Sequence, residues 1–278
     1  MPYINRIKII FQEVLIYYVI FIFVFQTYRI ALYHSYSNLF NDIDFFSLLK
    51  IIILGCRFDF SSTSVLLFIP IILLIIPIPL TGHWLYRRFI ASIIYIEWAV
   101  LIVFLNSDYL YFNYVKRHIT NELLFILKDW DYLISEISSN LFIFIIIFFI
   151  IIFSYPFFLK YLVSEKKNRE RSITGFIFIV LLMIIIGRGG FQRKPITVID
   201  AYQHGSANQG HLILNGFFTA SHYSISTSLI ERDLKEETSY IETLELLSSS
   251  NSEFPLAKKH VESRNKTFKN AVVIFVES

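Results

Sequence analysis

The sequence has few charged residues and almost no cysteine. Charged residues make up 17% of its 278 positions, whereas a typical soluble domain has roughly 25%. The single cysteine, Cys56, excludes a disulfide framework and a zinc site built from thiolates. The formal charge of +3 gives no indication of nucleic-acid binding, and we expect no nucleic-acid partner.

Apolar residues are correspondingly abundant, at 55% of the chain, and they are concentrated in long runs. This clustering excludes an ordinary soluble domain and a disordered chain. A helix needs roughly 20 mostly apolar residues to cross a membrane. Five segments have, or come near, this length: 10–32, 59–80, 89–105, 137–159 and 173–187. We therefore predict an α-helical membrane protein with five transmembrane helices in residues 1–187.

Basic residues outside these segments predict the orientation of the chain. Cytoplasmic loops carry an excess of lysine and arginine. If the N-terminus is cytoplasmic, all three basic clusters lie on the cytoplasmic side, and an odd number of spans places the chain after Gly187 outside. The clusters are Arg6 and Lys8, then Arg87 and Arg88, then Lys160, Lys166, Lys167, Arg169 and Arg171.

Ionisable residues in and beside the predicted spans include Glu97, Arg57 and Asp59. Glu97 is in the middle of the third segment, where a carboxylate costs roughly 2.5–3.5 kcal/mol. It is either a functional group or a carboxyl that hydrogen-bonds to a neighbouring helix. Arg57 and Asp59 open the second segment, and residues two apart on a helix do not face each other. Each is therefore expected to meet another helix, and Arg29 is a candidate partner for Asp59.

Two further features concern the second predicted span. Pro70, Pro77 and Pro79 predict a helix that is kinked or that ends early. The preceding residues, 42–56, mix polar and apolar types, and this pattern predicts an interfacial helix on the outer face.

Glycines and cations follow the fifth segment. Gly187, Gly189 and Gly190 interrupt the helix, and Arg188, Arg193 and Lys194 lie on the predicted outer side. These cations either contact lipid headgroup phosphates or extend from a helix end towards the interface. Residues 188–269 are predicted to form an extracytoplasmic linker with short helices.

The last nine residues, 270–278, contain six consecutive apolar residues, mostly β-branched. This pattern predicts a strand buried on both faces of a parallel sheet. A single central strand is not stable alone, so we expect it to be the first strand of an α/β domain of which the chain holds only the beginning. Ligands bind beyond the carboxyl ends of such strands. Glu277 lies at that position and is either a ligand for a hard metal ion or a cap for the following helix.

Taken in order, these features resemble the lipoteichoic acid synthase family, whose members are membrane-anchored enzymes of the alkaline phosphatase/sulfatase superfamily. Five predicted spans precede an extracytoplasmic segment and a strand of the form Asn-x-Val-Val-Ile-x-Val-Glu-Ser. The other elements of the resemblance are Arg57-Phe58-Asp59-Phe60-Ser61, Asp108-Tyr109-x-Tyr-Phe112, and Gly187-Arg188-Gly189-Gly190 followed by Lys194-Pro195-Ile196.

The resemblance implies a specific chemistry. Members of the family transfer phosphoglycerol from phosphatidylglycerol to a glycan or polymer at the bacterial inner membrane, through a phospho-threonine intermediate. They use a divalent metal, typically Mn²⁺, and the residue matching Glu277 binds it. The threonine and the remaining metal ligands lie further along the family's chain. No catalytic residue is therefore expected within residues 1–278, Ser278 included, and this chain alone is expected to be inactive.

Other functions fit the same sequence features. Within the superfamily, a membrane sulfatase or a phosphoethanolamine transferase is an alternative. An alternative of a different class is a non-catalytic transporter component or sensor, in which Glu97, Arg57 and Asp59 line a pathway or relay.

Overall fold

The computed structural model describes residues 2–120, 122–126, 128–162, 173–203 and 205–222. The chain divides into two compact units, 1–227 and 228–278, and every described residue belongs to the first. The predicted strand at 270–278, with Glu277, lies outside the described residues. The helices are α1 (Pro2–Ser35), α2 (Phe45–Ile75), α3 (Trp84–Val115), α4 (Leu123–Ile126), α5 (Trp130–Ser139), α6 (Leu141–Leu162), α7 (Ile173–Gly187), α8 (Val198–Tyr202) and α9 (Ala207–Ile213), with a 3₁₀ helix at Pro79–Gly82.

Four of these helices, α1, α2, α3 and α6, are long and apolar enough to cross a membrane. The chain therefore has the helices of a membrane-embedded protein, as its composition predicts. The fifth predicted segment forms α7, which has the predicted bounds but only 15 residues. It is shorter than the roughly 20 residues that a typical span requires.

Helix α2 is at the centre of the bundle and packs against α1, α3 and α7. The core between them is made of large apolar side chains, among which Phe21, Phe25, Leu67, Ile71 and Ile94 are almost completely buried. Helix α6 packs mainly on α3, also contacts α5 and Tyr17 of α1, and is largely exposed. A helix that is apolar on all sides and yet exposed on the protein surface is suited to contact with lipid.

Helix α2 differs from the prediction at its start. It begins at Phe45, where the Asp44 side chain caps it by accepting a hydrogen bond from the Ser47 backbone N–H at 3.1 Å. The residues predicted to form an interfacial helix, 42–56, are helical from Phe45 onwards and are continuous with the second predicted span. Apolar side chains in the first half of α2, such as Ile51 and Phe58, are buried in an apolar cluster with the chain that follows α7. The helix ends at Ile75, two residues before Pro77, in agreement with the predicted early end.

Residues 188–203 and 205–222 fold back over one end of the bundle. We call these residues the docked segment, and the end of the bundle that it covers the covered end. Its helices begin at local caps: Thr197 and Asp200 form a capping box for α8, and Ser206 caps α9. Residues 216–222 are also helical. An apolar cluster joins the docked segment to α2 and α3 through Phe58, Phe112, Leu212 and Phe218.

Candidate functional site

A buried ion pair between α1 and α2 lies at the covered end. The Arg29 guanidinium donates from Nη1 to Asp59 Oδ2 at 2.6 Å and from Nη2 to Asp59 Oδ1 at 2.8 Å. Both side chains are almost completely inaccessible to solvent. Arg29 also donates from Nε to the Leu212 carbonyl at 2.7 Å and from Nη2 to the Ile213 carbonyl at 3.1 Å. One arginine thus joins two membrane helices to the end of α9, and the predicted pairing of Arg29 with Asp59 is confirmed.

Two amides complete the hydrogen bonding of the Asp59 carboxylate. Asn215 Nδ2 donates to Oδ1 and Gln26 Nε2 donates to Oδ2, each at 2.8 Å. Asn215 also caps the helical residues 216–222, because its Oδ1 accepts from the Phe218 backbone N–H at 2.8 Å. Each Asp59 oxygen therefore accepts two hydrogen bonds. We call Gln26, Arg29, Asp59 and Asn215 the Arg29 cluster.

Glycine at position 55 makes room for this cluster. A Cβ atom there would lie 2.5 Å from Arg29 Cζ, much closer than two non-bonded carbon atoms can approach. The flat guanidinium therefore lies directly on the backbone of α2, one turn before Asp59. Any larger residue at position 55 would displace either the arginine or the helix.

Arg57 extends from the same helix to a different part of the docked segment. Its Nε donates to the Gly189 carbonyl at 2.8 Å, and its Nη2 donates to Gln192 Oε1. One turn later, Ser61 Oγ donates to the Gly187 carbonyl at 2.5 Å. Arg57 and Asp59 thus bind separate partners, as their spacing on a helix predicts.

A second buried ion pair lies beside the first. His118, just after α3, bonds through Nδ1 to Asp108 Oδ2 at 2.7 Å and through Nε2 to the His211 carbonyl at 2.8 Å. Asp108 Oδ1 accepts from the Ile119 backbone N–H at 2.8 Å. Thr219 Oγ1 donates to the Ile119 carbonyl at 2.7 Å. We call Asp108, His118, His211 and Thr219 the His118 cluster; it joins the end of α3 to the docked segment.

The hydrogen bonds of His118 indicate its charge. A carbonyl oxygen and an ionised carboxylate only accept hydrogen bonds, so both ring nitrogens of His118 must donate, which requires the imidazolium form. Burial by itself lowers the pKa of this ring, but the Asp108 carboxylate and the two hydrogen bonds outweigh burial and raise the pKa of His118 above its usual value. The neighbouring His211 behaves oppositely: burial and the positive charges of His118 and Arg117 lower its pKa to about 4. His211 is therefore neutral near pH 7.

The space between the two clusters is too small for a substrate. A cavity of about 10 Å³ lies among residues that include Arg29, Asp108, His118 and Asn215. This volume suffices for about one water molecule. Because the charges of both clusters are paired and hydrogen-bonded and leave no room for a substrate, we infer that the clusters hold the docked segment against α1, α2 and α3.

The remaining residues singled out from the sequence lie elsewhere. Arg188 donates to the carbonyls of Gln192 and Arg193 within its own loop, and Arg193 and Lys194 are exposed. Glu97 is half-buried on α3, about 16 Å along the helix from Asp108 at 1.5 Å per residue. The structure thus brings Arg57 and Asp59 to the covered end but leaves Glu97 apart from them. Glu277 lies outside the described residues.

Several residues of the site carry little signal in the sequence. Asn215 precedes a helix, which is typical of a cap, but its bond to Asp59 joins residues 156 positions apart. The sequence does not distinguish His118, because a single histidine after a span has no characteristic pattern. At the opposite end of the bundle, the buried Arg87 pairs with Glu13 of α1, although the sequence indicated only that Arg87 belongs to a basic cluster.

Within the described residues, no group of three or more His, Cys, Asp or Glu side chains is placed to hold a metal ion. Comparisons with protein-family models, with curated proteins and with solved structures find no match for this chain.

Proposed function

We propose that this chain is the N-terminal membrane part of a bacterial inner-membrane phosphoglycerol transferase. In this proposal the complete protein transfers phosphoglycerol from phosphatidylglycerol to an extracytoplasmic glycan or polymer, through a metal-assisted phospho-threonine intermediate. The membrane helices anchor the enzyme at the surface that contains its lipid donor. The docked segment leads from these helices towards the catalytic domain.

The observation that supports this proposal most directly is that three elements of the family resemblance converge on the covered end. Arg57 and Ser61, from the first element, bond to the carbonyls of Gly189 and Gly187 in the third. Asp108, from the second, pairs with His118, which bonds to the docked segment. Elements up to 132 positions apart in the chain are thus in direct contact.

This arrangement suits an enzyme whose substrate is a lipid. A catalytic domain that acts on a headgroup must remain at a constant height above the membrane surface, and residues that position a site need rigid support. Among the described residues, the Arg29 and His118 clusters hold the docked segment on three membrane helices with buried ion pairs.

In the proposed enzyme, Glu277 is one ligand of a divalent metal ion. A carboxylate is a suitable ligand for Mn²⁺, and the ion would neutralise phosphoryl charge and activate the attacking oxygen. The family resemblance places the threonine nucleophile and the other ligands after residue 278. A complete gene that encodes no such threonine and no Asp-His pair would contradict the proposal.

The decisive experiment uses the full protein encoded by the gene, purified and supplied with phosphatidylglycerol labelled in its headgroup. We expect Mn²⁺-dependent release of diacylglycerol and transfer of the label, abolished by Glu277→Ala. Glu262→Ala is the matched control, since it removes a nearby carboxylate outside the strand motif. Equal activity in both variants would refute the metal assignment. Activity only on phosphatidylethanolamine, or only on sulfate esters, would favour the phosphoethanolamine-transferase or sulfatase alternative.

One observation favours a function of another class. Glu97 Oε2 is buried, and no described residue supplies it with a hydrogen-bond partner. Such a carboxyl within a membrane helix is typical of a transport or signalling relay. If the protein is a transporter component or sensor, Glu97→Gln abolishes that activity. If it is a transferase, the same variant retains transfer and changes mainly the stability of the bundle.

A further inference from the structure

Helix α5 is separate from the span that follows it. The fourth predicted span begins at residue 137, but in the structure residues 130–139 form a helix of their own, which ends one residue before α6. Asn140 joins the two helices: its backbone N–H donates to the Glu136 carbonyl at 3.1 Å, and its own carbonyl accepts from the Ile143 N–H at 3.0 Å. The surroundings of α5 are therefore not settled by the apolar character of α6.

The apolar side chains of α5 share one face. At 3.6 residues per turn, Trp130, Leu133, Ile134 and Ile137 fall within an arc of about 100°. The other residues of α5 whose side chains the structure describes are polar: Asp131, Ser135, Glu136, Ser138 and Ser139. The apolar face is not buried in the bundle, because Trp130 is 70% exposed and Ile134 is 63% exposed.

The length of α6 indicates the level of α5 relative to the membrane. Helix α6 has 22 residues, or about 33 Å at 1.5 Å per residue, which is close to the roughly 30 Å of the hydrocarbon core. A span of this length places its first residue, Leu141, at one edge of the core. Helix α5 ends two residues earlier and therefore lies in the interfacial region of the same leaflet.

The apolar face of α5 is continuous with the lipid-facing surface of α6. Leu141 is one turn beyond Ile137, and Leu141 and Phe142 are both exposed at the start of α6. The acyl chains that surround this part of the span therefore extend to Ile137. Tryptophan is enriched at the level where a membrane meets water, and Trp130 begins the helix.

The charges of α5 specify the kind of contact. Its two charged residues, Asp131 and Glu136, are acidic, and it contains no lysine or arginine. Attraction to anionic headgroups therefore contributes nothing, and burial of the apolar face must supply the binding. A protein partner would have to cover a face only about 15 Å long and displace the lipid beside Leu141.

We propose that α5 is an interfacial helix that lies in the membrane surface. Trp130, Ile134 and Ile137 insert among the lipids, and the face that carries Ser135 and Ser139 is directed towards water. The partner is the bilayer itself, with no requirement for a particular headgroup. This inference does not depend on the proposed transferase activity, because the contact is made by the membrane unit whether or not the protein transfers phosphoglycerol.

Tryptophan fluorescence tests the insertion directly. The chain contains three tryptophans, Trp84, Trp98 and Trp130, so the difference in emission between the wild type and Trp130→Phe reports Trp130 alone. The protein is reconstituted at a low protein-to-lipid ratio in nanodiscs of phosphatidylcholine brominated either near the headgroup or near the end of the acyl chain. We expect bromines near the headgroup to remove most of the Trp130 emission, bromines near the chain end to remove less, and aqueous iodide to remove little.

The opposite face of the same helix provides the matched control. In a Trp130→Phe background, Ser135→Trp moves the indole to the polar face, where iodide should quench it and brominated lipid should not. Ile134→Trp in that background repeats the test on the apolar face, so the test remains decisive if one variant does not fold.

Three results would overturn the proposal. Quenching of Trp130 by iodide and not by brominated lipid would place the apolar face in water. Protection from both quenchers would show that protein covers this face. Equal quenching of Ser135→Trp and Ile134→Trp by brominated lipid would show that α5 has no face directed towards water.

Discussion

At the scale of single residues, the covered end depends on buried charges whose hydrogen bonds are completed by distant parts of the chain. Both terminal nitrogens of the Arg29 guanidinium donate to the Asp59 carboxylate, which accepts two further hydrogen bonds from side-chain amides. Removing one member of such a pair leaves an uncompensated buried charge, whereas removing both leaves none. This asymmetry makes the role of the pair measurable.

The first prediction concerns Arg29→Met. We expect it to lower the free energy of unfolding by about 3–5 kcal/mol, the usual cost of leaving one buried charge unpaired. The double variant Arg29→Met with Asp59→Leu should recover much of this loss. Denaturant titration in mixed micelles measures both quantities, and Arg88→Met is the control, because Arg88 is exposed and lies over the Trp84 ring. A double variant less stable than Arg29→Met would contradict the assignment.

The second prediction concerns pH. Because the pKa of His118 is raised in the folded protein, its charge contributes stability that is fully present below the usual histidine pKa of about 6.5 and is lost as pH rises through the raised value. The difference in apparent melting temperature between wild type and His118→Gln should therefore be largest at about pH 6 and shrink at alkaline pH. A thermal scan across pH measures it. His34→Gln, at an exposed position, should show no comparable trend; a constant difference for His118→Gln would exclude a role for its charge.

At the scale of helices, α2 is the element on which the others are assembled. Its first half packs with the docked segment and with α1, and its second half packs with α1, α3 and α7. The close approach of Arg29 to Gly55 sets the contact between α1 and α2. A Cβ atom added at Gly55 would require either the Arg29 side chain or a helix to shift.

The third prediction follows from this contact. Gly55→Ala should destabilise the protein by about 1–3 kcal/mol, as overpacking typically does, although alanine is intrinsically a better helix former than glycine. The matched control is Gly82→Ala, because a Cβ at Gly82 meets no atom within 4 Å. The measurement is again denaturant titration in mixed micelles. A Gly55→Ala variant as stable as Gly82→Ala would show that Arg29 can move away without cost.

At the scale of the whole molecule, the two ends of the bundle differ. One end carries the Arg29 and His118 clusters and the docked segment. The other end carries the Glu13–Arg87 pair and, among the described basic residues that predict a cytoplasmic side, Arg88. The bundle therefore has a polar, covered end expected to face away from the cytoplasm and a basic end expected to face it.

The fourth prediction tests this orientation and uses the single native cysteine. In a Cys56→Ser background, Phe191→Cys adds a thiol at a position 90% exposed in the docked segment. A membrane-impermeant maleimide should label it in intact spheroplasts. Gly82→Cys, in the turn before α3, should be labelled only after permeabilisation. The reverse pattern would invert the predicted topology.

Much of the architecture follows from local pattern, because long apolar runs dictate helices wherever the backbone must satisfy its own hydrogen bonds in lipid. The bounds of α7 follow from this pattern. The early end of α2 is one of the two outcomes that its prolines predict. Arg29 was a candidate partner for Asp59 because of the spacing of the charges on a helix. The continuous start of α2 was not predictable in this way. The mixed composition of its first residues suits either contact with a membrane surface or burial against protein, and the protein that buries them is the docked segment, far along the chain.

The sequence by itself determined a helical, membrane-embedded chain with charges too costly to leave unpaired. Only the tertiary structure decided which groups pair with them. Asn215 and Gln26 complete the bonds of Asp59, and His118 carries a charge because Asp108 and the His211 carbonyl both accept from its ring. Hydrogen-bond partners of this kind meet only in the folded protein. Residues as far apart in the chain as Asp59 and Asn215, which are separated by 156 positions, form no periodic pattern from which the contact could be predicted.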